Sequence, residues 1–369
     1  MFFDDTNRLE KKLQLDPRFS EADKRAYGVT LYDDLLHEDN LIYDYSHNGI
    51  VPAENQPQLY EFGITALDEA TGGFLSDDFV IIAAPTAGGK TELSRIISSH
   101  NAKRGNKVLT FSLESYNGEI AQRQLWGHIR KNLYTLDSKL APRYLLRHWR
   151  AGKYNHDEFF QRAYDVARKV WHEENIDENS KILYRGTGGF TIEDFENILE
   201  GCKDEVKPSL IILDHLHFFD SMNNESENSK MRALCLKIRD LVLMYKIPVI
   251  TFAHVRKGER GKRPLVSDYE EIHGSSDSYK VATMVITFAQ SSERNTLTPY
   301  LSHTYFRIGK DRSSSGLWKY ALGVNFDTRT GSYAKAYKIY DYKNYGFELE
   351  QIAGGTAPSW AKNFTNVRV

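Results

Sequence analysis

The chain has 369 residues, 41% of them hydrophobic, with 48 Lys and Arg against 50 Asp and Glu. That balance fits a soluble globular protein with room for a continuous core in one large domain or two modest ones, and a formal net charge of −2 excludes a uniformly basic surface for nucleic acid, so any such contact must use a local patch. No apolar run approaches the roughly 20 residues that span a bilayer, the N-terminus lacks a secretory layout, and Cys202 and Cys235 are too few for a disulfide framework or zinc cluster, so a cytoplasmic protein with no membrane partner is expected.

Residues 1–57 read as a polar N-terminal arm with short helical patterns, closing on a linker from Pro52 to Pro57. From residue 58 to 343, short apolar runs alternate with longer helical patterns. The runs are Phe79–Ala83, Lys107–Leu113, Lys181–Tyr184, Ser209–Leu213, Pro248–Ala253 and Thr283–Ala289. Each is apolar on consecutive residues, as strands covered on both faces must be. Helices between them imply parallel crossovers, hence an α/β fold with a mostly parallel, doubly wound sheet. Segments 303–310, 318–326 and 333–340 alternate more clearly and predict an antiparallel extension. Residues 344–369 read as a C-terminal tail.

The first strand runs into Ala84-Pro85-Thr86-Ala87-Gly88-Gly89-Lys90-Thr91, with Glu92 opening a helical pattern. Strand, Gly-rich turn and helix in that order form a phosphate-binding loop. Its backbone N–H groups can wrap a polyphosphate, Lys90 can reach the outer oxygens, and the Thr91 hydroxyl can hold Mg²⁺. The strict pattern wants Gly where Ala84 stands. A nucleoside triphosphate, ATP with Mg²⁺, is the expected ligand.

Two further strands end on acids. Asp214 follows Leu210-Ile211-Ile212-Leu213, a position that suits Mg²⁺ beside the phosphate loop. Glu114 closes Val108–Leu113, 24 residues beyond Lys90; it reads either as a general base for water or as a solvated strand-end carboxylate. His254 closes Val249–Ala253 and is either a γ-phosphate sensor or a satisfied structural histidine. Arg256, Lys257, Arg260, Lys262 and Arg263 then crowd into a glycine-punctuated loop leaving the same sheet edge. A solvated loop is the ordinary explanation of such a run; a nucleic-acid contact coupled to ATP is the functional one. Gly274-Ser275-Ser276 offers N–H and hydroxyl groups that hold phosphates without reading bases. Lys310 and Arg312, two apart on an extended segment, point the same way and suit a phosphate clamp; an ion pair with Asp311 or a plain surface turn is the simpler alternative. Between Arg130 and Lys153 lies a basic stretch laced with Tyr134, Tyr144 and Trp149, read as a helical insertion whose aromatics pack on the sheet or as an extra nucleic-acid or partner surface.

Across about Phe62 to Tyr342 these motifs resemble the RecA-like ATPase domain of the DnaB family of hexameric replicative helicases. The lead-in Gly63-Ile64-Thr65-Ala66-Leu67-Asp68, the Ala84 loop start and Phe111-Ser112-Leu113-Glu114 are similar to that family's pattern. The resemblance implies a RecA-like P-loop NTPase acting as an ATP-dependent helicase on single-stranded DNA. It implies Glu114 as catalytic base, a DNA loop running through Pro264 and Ser267 to Gly274-Ser275, and Lys310 and Arg312 reaching into a neighbour's ATP site. A ring-shaped homo-oligomer, a hexamer, follows, with a primase or loader protein as further partner. His215 departs from the family, which usually has an aromatic after the metal-binding Asp. His254 resembles the variant of phage-type relatives, and the family's large helical N-terminal domain is not evident in residues 1–57. A RecA- or RadA-like recombinase and a KaiC-like regulatory switch are the alternatives, separable by strand exchange and by whether DNA stimulates hydrolysis.

Overall fold

In the computed structural model, β3 (Phe79–Ala84) is buried along its whole length, and the sheet is built outward from it. The structure describes residues 56–365 apart from 114–115, 175, 185–189, 203–205, 217–218, 220–226, 256–263, 273–278, 292–297 and 315. The arm expected over residues 1–57 therefore lies almost wholly outside the described residues. Pro57–Val369 forms one unit.

In chain order the elements are β1 (Leu59–Tyr60), α1 (Thr65–Thr71), β2 (Phe74–Leu75), β3, α2 (Lys90–Lys103), β4 (Val108–Ser112) and α3 (Asn117–Leu136). There follow α4 (Leu146–Arg150), α5 (Glu158–Glu173), α6 (Ile176–Asn179), β5 (Ser180–Tyr184), α7 (Ile192–Cys202), β6 (Leu210–Asp214), α8 (Glu227–Tyr245) and β7 (Val249–His254). The chain closes with β8 (Met284–Gln290), β9 (Leu301–Asp311), β10 (Tyr320–Asp327), β11 (Ser332–Lys343) and β12 (Glu348–Gln351). Among the described residues one sheet runs in the order β12-β11-β10-β9-β8-β3-β7-β6-β4-β5. The six strands from β8 to β5 are parallel, and β9 to β12 add antiparallel pairs.

Alternation divides β3 between two cores. Val80, Ile82 and Ala84 join Leu93 and Ile97 of α2 on one face; Phe79, Ile81 and Ala83 join Phe195, Ile238 and Leu241 on the other. Continuous apolar strands were the expectation for such double coverage, and all six parallel strands form where the sequence puts them, within a residue at each end.

The segment from 344 onward, expected as a tail, takes part in the sheet and its core. Glu348–Gln351 pairs with β11, Phe364 bridges to Tyr337, and Trp360 packs against the core. Glu69 accepts hydrogen bonds from Tyr337 Oη (2.6 Å) and from the N–H groups of Lys362 (2.7 Å) and Asn363 (3.0 Å).

The aromatic-laced insertion is a small core of its own. Trp126, Ile129 and Leu133 of α3 meet Phe160, Ala163 and Ala167 of α5. Trp149 stacks on Trp126 at 5.8 Å, and Tyr144 donates to both Asp157 oxygens (3.0 and 3.1 Å). Asp157 also caps α5, accepting from Phe160 N–H at 2.9 Å. The aromatics are thus consumed in helix packing, on α3 and α5 rather than on the sheet. Arg143 and Arg147 remain exposed. No described helix is long and apolar enough to cross a membrane.

Candidate nucleotide site

Parallel strands deliver their C-terminal ends to one edge of the sheet, and the chemistry-bearing residues gather there. The turn between β3 and α2 starts at buried Ala84 and closes with Gly88 N–H donating to Pro85 O at 2.9 Å. A Cβ on Gly88 would sit 2.8 Å from that same carbonyl, so only glycine fits. Gly89 adopts φ +95°, and Ala87 is itself left-handed at φ +60°, a conformation that costs a non-glycine residue free energy. Gly89 caps α2 without a side-chain acceptor, which leaves the leading N–H groups of the helix to an anion.

Around this turn lies a cavity of about 350 Å³, lined by residues 86–92 together with Arg95, Ile120, Arg123, Asp214 and His254. Lys90 is largely buried, and its ammonium donates to Pro85 O at 3.3 Å and to His254 Nδ1 at 3.0 Å. Thr91 Oγ1 donates to Asp214 Oδ2 at 3.4 Å. Asp214 ends β6, held beside β4 by Leu113 N–H donating to its carbonyl at 2.9 Å. Hydroxyl and carboxylate oxygens converging at the foot of a phosphate cradle are the hard donors Mg²⁺ takes.

Sequence reasoning missed three side chains in this wall. Arg95 lies one helical turn beyond Thr91, so its α2 face was legible, but its partners were not. It binds Glu92 at 2.8 Å and donates to Gly331 O at 2.5 Å, tying the phosphate-loop helix to the β10–β11 turn. Ile120 and Arg123 come from the start of α3, and Arg123 pairs with Glu119 at 2.7 Å. No local pattern announces either. His215, noted only as a departure, is buried, with Nε2 2.7 Å from His254 Nε2.

Glu114 lies outside the described residues, one position past Leu113. The basic residues Arg256, Lys257, Arg260, Lys262 and Arg263, and Gly274, Ser275 and Ser276, lie outside them as well. Their anchors are described. Val255 N–H donates to Ala84 O at 3.2 Å and pairs with Ile272, so the chain leaves for the basic run beside the first residue of the phosphate turn. Farther along, Ser267 O accepts from Thr287 Oγ1 at 2.6 Å, and Asp268 pairs with buried Arg307 at 2.9 Å.

Lys310 and Arg312 are elsewhere. The register of β9 sets Lys310 opposite Val285 and Asp311 opposite Met284, level with Val80 at the start of β3. At about 3.3 Å per residue, that row lies roughly 13 Å from Ala84 and the phosphate turn. The two cations do share one side. Lys310 Nζ donates to the carbonyls of Tyr279 (3.4 Å) and Lys280; Arg312 Nη2 donates to those of Lys280 (3.2 Å) and Val281 (3.4 Å). Asp311 instead accepts from Ser313 N–H at 2.9 Å and from Ser314 Oγ. Burial, then Arg312 and Arg239, push the Lys310 ammonium down to about 8.

Residues 60–320 match the family model of the DnaB-like helicase C terminal domain. The chain belongs to that family. Among similar proteins is the replicative DNA helicase DnaC of Bacillus subtilis (strain 168), 23% identical over 215 residues, covering 57% of this chain and 43% of that one. The replicative DNA helicase DnaB of Mycoplasma genitalium is 23% identical over 250 residues, covering 65% and 48%. The chain thus spans about half the length of the curated relatives it matches. Of solved structures, an isolated ATPase domain superposes with a TM-score of 0.58 at 15% identity, covering 86% of this chain and 99% of that one. A DnaB-like replicative helicase, described with its interactions with primase, gives 0.57 at 14%, covering 89% and 70%. Those likenesses establish the RecA-like ATPase fold of this DnaB-type domain.

Proposed function

We propose that the protein is an ATP-driven helicase that moves along single-stranded DNA as a ring, a hexamer, in the cytoplasm. One observation carries the reading. The basic run departs from Val255, whose N–H is bonded to the phosphate turn at Ala84, so a change at the nucleotide is one hydrogen bond from the DNA-facing chain. Lys90, the α2 N-terminus and Arg95 bind and orient the polyphosphate, and His254 reads its outer end. Thr91 and Asp214 would hold Mg²⁺, which neutralises charge on the phosphate oxygens. Glu114 is the proposed base for the attacking water. Arg256, Lys257, Arg260, Lys262, Arg263 and the Gly274–Ser276 segment contact DNA phosphates. Lys310 and Arg312, far from their own cradle, serve the site of the next copy. A primase or a loader protein is the proposed further partner. Neither the recombinase nor the switch reading is favoured by an observation of its own.

ATP hydrolysis measured with and without single-stranded DNA, across a salt series, tests this. Stimulation by DNA is expected, and five phosphate contacts weaken single-strand binding roughly 100-fold between about 50 and 200 mM salt. Hydrolysis indifferent to DNA at every salt concentration would sink the reading.

The depressed Lys310 pKa adds a pH dependence. An ammonium titrating near 8 is charged below that pH and neutral above it. The expected kcat/KM for ATP therefore falls as pH rises through about 8, a profile set by groups of the free enzyme. Lys310→Arg keeps its charge and should move that falling limb upward. An unmoved limb would dissociate Lys310 from the chemistry.

A further inference from the structure

The nucleotide cradle contains a chain of hydrogen bonds whose direction is fixed by what each group can do. Lys90 Nζ lies 3.0 Å from His254 Nδ1, and His254 Nε2 lies 2.7 Å from His215 Nε2. An ammonium only donates, so His254 Nδ1 accepts. Neutral His254 then carries its hydrogen on Nε2 and donates it to His215 Nε2. That nitrogen must be bare, so His215 holds its own hydrogen on Nδ1. The two rings meet edge to face, 82° apart with centroids at 4.5 Å, and His215 is 3% exposed.

We infer that His215 is a positioning residue that sets the tautomer of His254 and so holds Lys90 at the mouth of the phosphate cradle. The inference rests on the reading of Lys90 as a phosphate ligand and adds a role for a residue that reading leaves idle. Without an acceptor at Nε2, His254 is free to carry its hydrogen on Nδ1, where it opposes the Lys90 ammonium. Lys90 then keeps Pro85 O but loses its second anchor. The same logic constrains His254. In this tautomer Nδ1 accepts from Lys90 and Nε2 donates to His215, so it meets a phosphate oxygen through the Lys90 ammonium.

The test uses the full chain, ¹⁵N-labelled at histidine, without nucleotide. The expected spectrum shows His254 as one tautomer protonated at Nε2; a wild-type His254 protonated at Nδ1 overturns the inference without any variant. His215→Phe keeps a flat ring at the position but has no acceptor, and a mixture of His254 tautomers is expected. His215→Gln offers a carboxamide oxygen to the same N–H and should restore the single form. Binding of a non-hydrolysable ATP analogue is expected to weaken about five- to tenfold in His215→Phe, the weight of one net hydrogen bond, and to recover in His215→Gln. Equal weakening in both variants, or an unchanged tautomer in His215→Phe, rejects the positioning role. If the tautomers behave as described but no form binds the analogue, the nucleotide reading fails and the tautomer assignment survives.

Discussion

Lys90→Ala is expected to lower ATP hydrolysis by at least about 10²- to 10³-fold, the loss seen when a preorganised electrostatic donor is removed from a developing charge. Its position makes the case. Lys90 opens α2 directly after the left-handed Gly89, so its backbone belongs to the anion-binding end of the helix while its side chain crosses the cradle to Pro85 O and His254. Both bonds are local, and a typical hydrogen bond contributes about 1 kcal/mol net, so the variant should fold and melt close to wild type. What it should lose is the ligand response. A nucleotide that binds only the native state raises the melting temperature, with the logarithm of its concentration over its Kd. Wild type is expected to gain stability on adding an ATP analogue, and Lys90→Ala to gain much less. Hydrolysis within a few-fold of wild type would remove Lys90 from the site.

Much of the fold was legible because burial imposes pattern. A strand covered on both faces is apolar along nearly its whole length, and Phe79–Ala84, Leu210–Leu213 and Val249–Ala253 announce themselves that way. Edge strands carry no such obligation. Glu348–Gln351 reads Glu-Leu-Glu-Gln, half exposed, and its place in the sheet comes from backbone pairing to β11. Nor does any local spacing connect Glu69 with Lys362 and Asn363, almost 300 residues on.

The site divides in the same way. The phosphate turn is a contiguous stretch whose glycines have steric reasons, so it could be read directly. Ile120 and Arg123 enter the wall only through tertiary packing, and the chemistry of Arg95 and His215 depends on partners that sequence does not pair. The aromatics around Tyr144 and Trp149 show the reverse difficulty. A sequence rich in Arg, Tyr and Trp looks like a binding surface until Asp157, Trp126 and Phe160 are seen to occupy the rings.

Arg312→Ala should cost about 10³- to 10⁵-fold in hydrolysis if its guanidinium stabilises charge in a neighbour's site. Within its own chain Arg312 has no route to the phosphate turn, since β9 carries it to the opposite edge of the parallel strands. Complementation separates a shared site from a structural role. Lys90→Ala copies lack the cradle but keep the finger, and Arg312→Ala copies keep the cradle but lack the finger. In an equal mixture about a quarter of head-to-tail seams pair an intact cradle with an intact finger, so activity should return although each parent is nearly inert. A mixture no more active than its parents would mean that Arg312 acts only within its own chain. The resting contacts give this coupling a direction. Lys310 and Arg312 both hold the backbone corner at Tyr279–Val281, and only two residues separate that corner from Gly274-Ser275-Ser276 in the sequence. A neighbour's phosphate that drew these cations from the corner would loosen the chain that leads back to the proposed DNA contacts. Binding at one seam and release on DNA would then be two ends of a single exchange of hydrogen bonds.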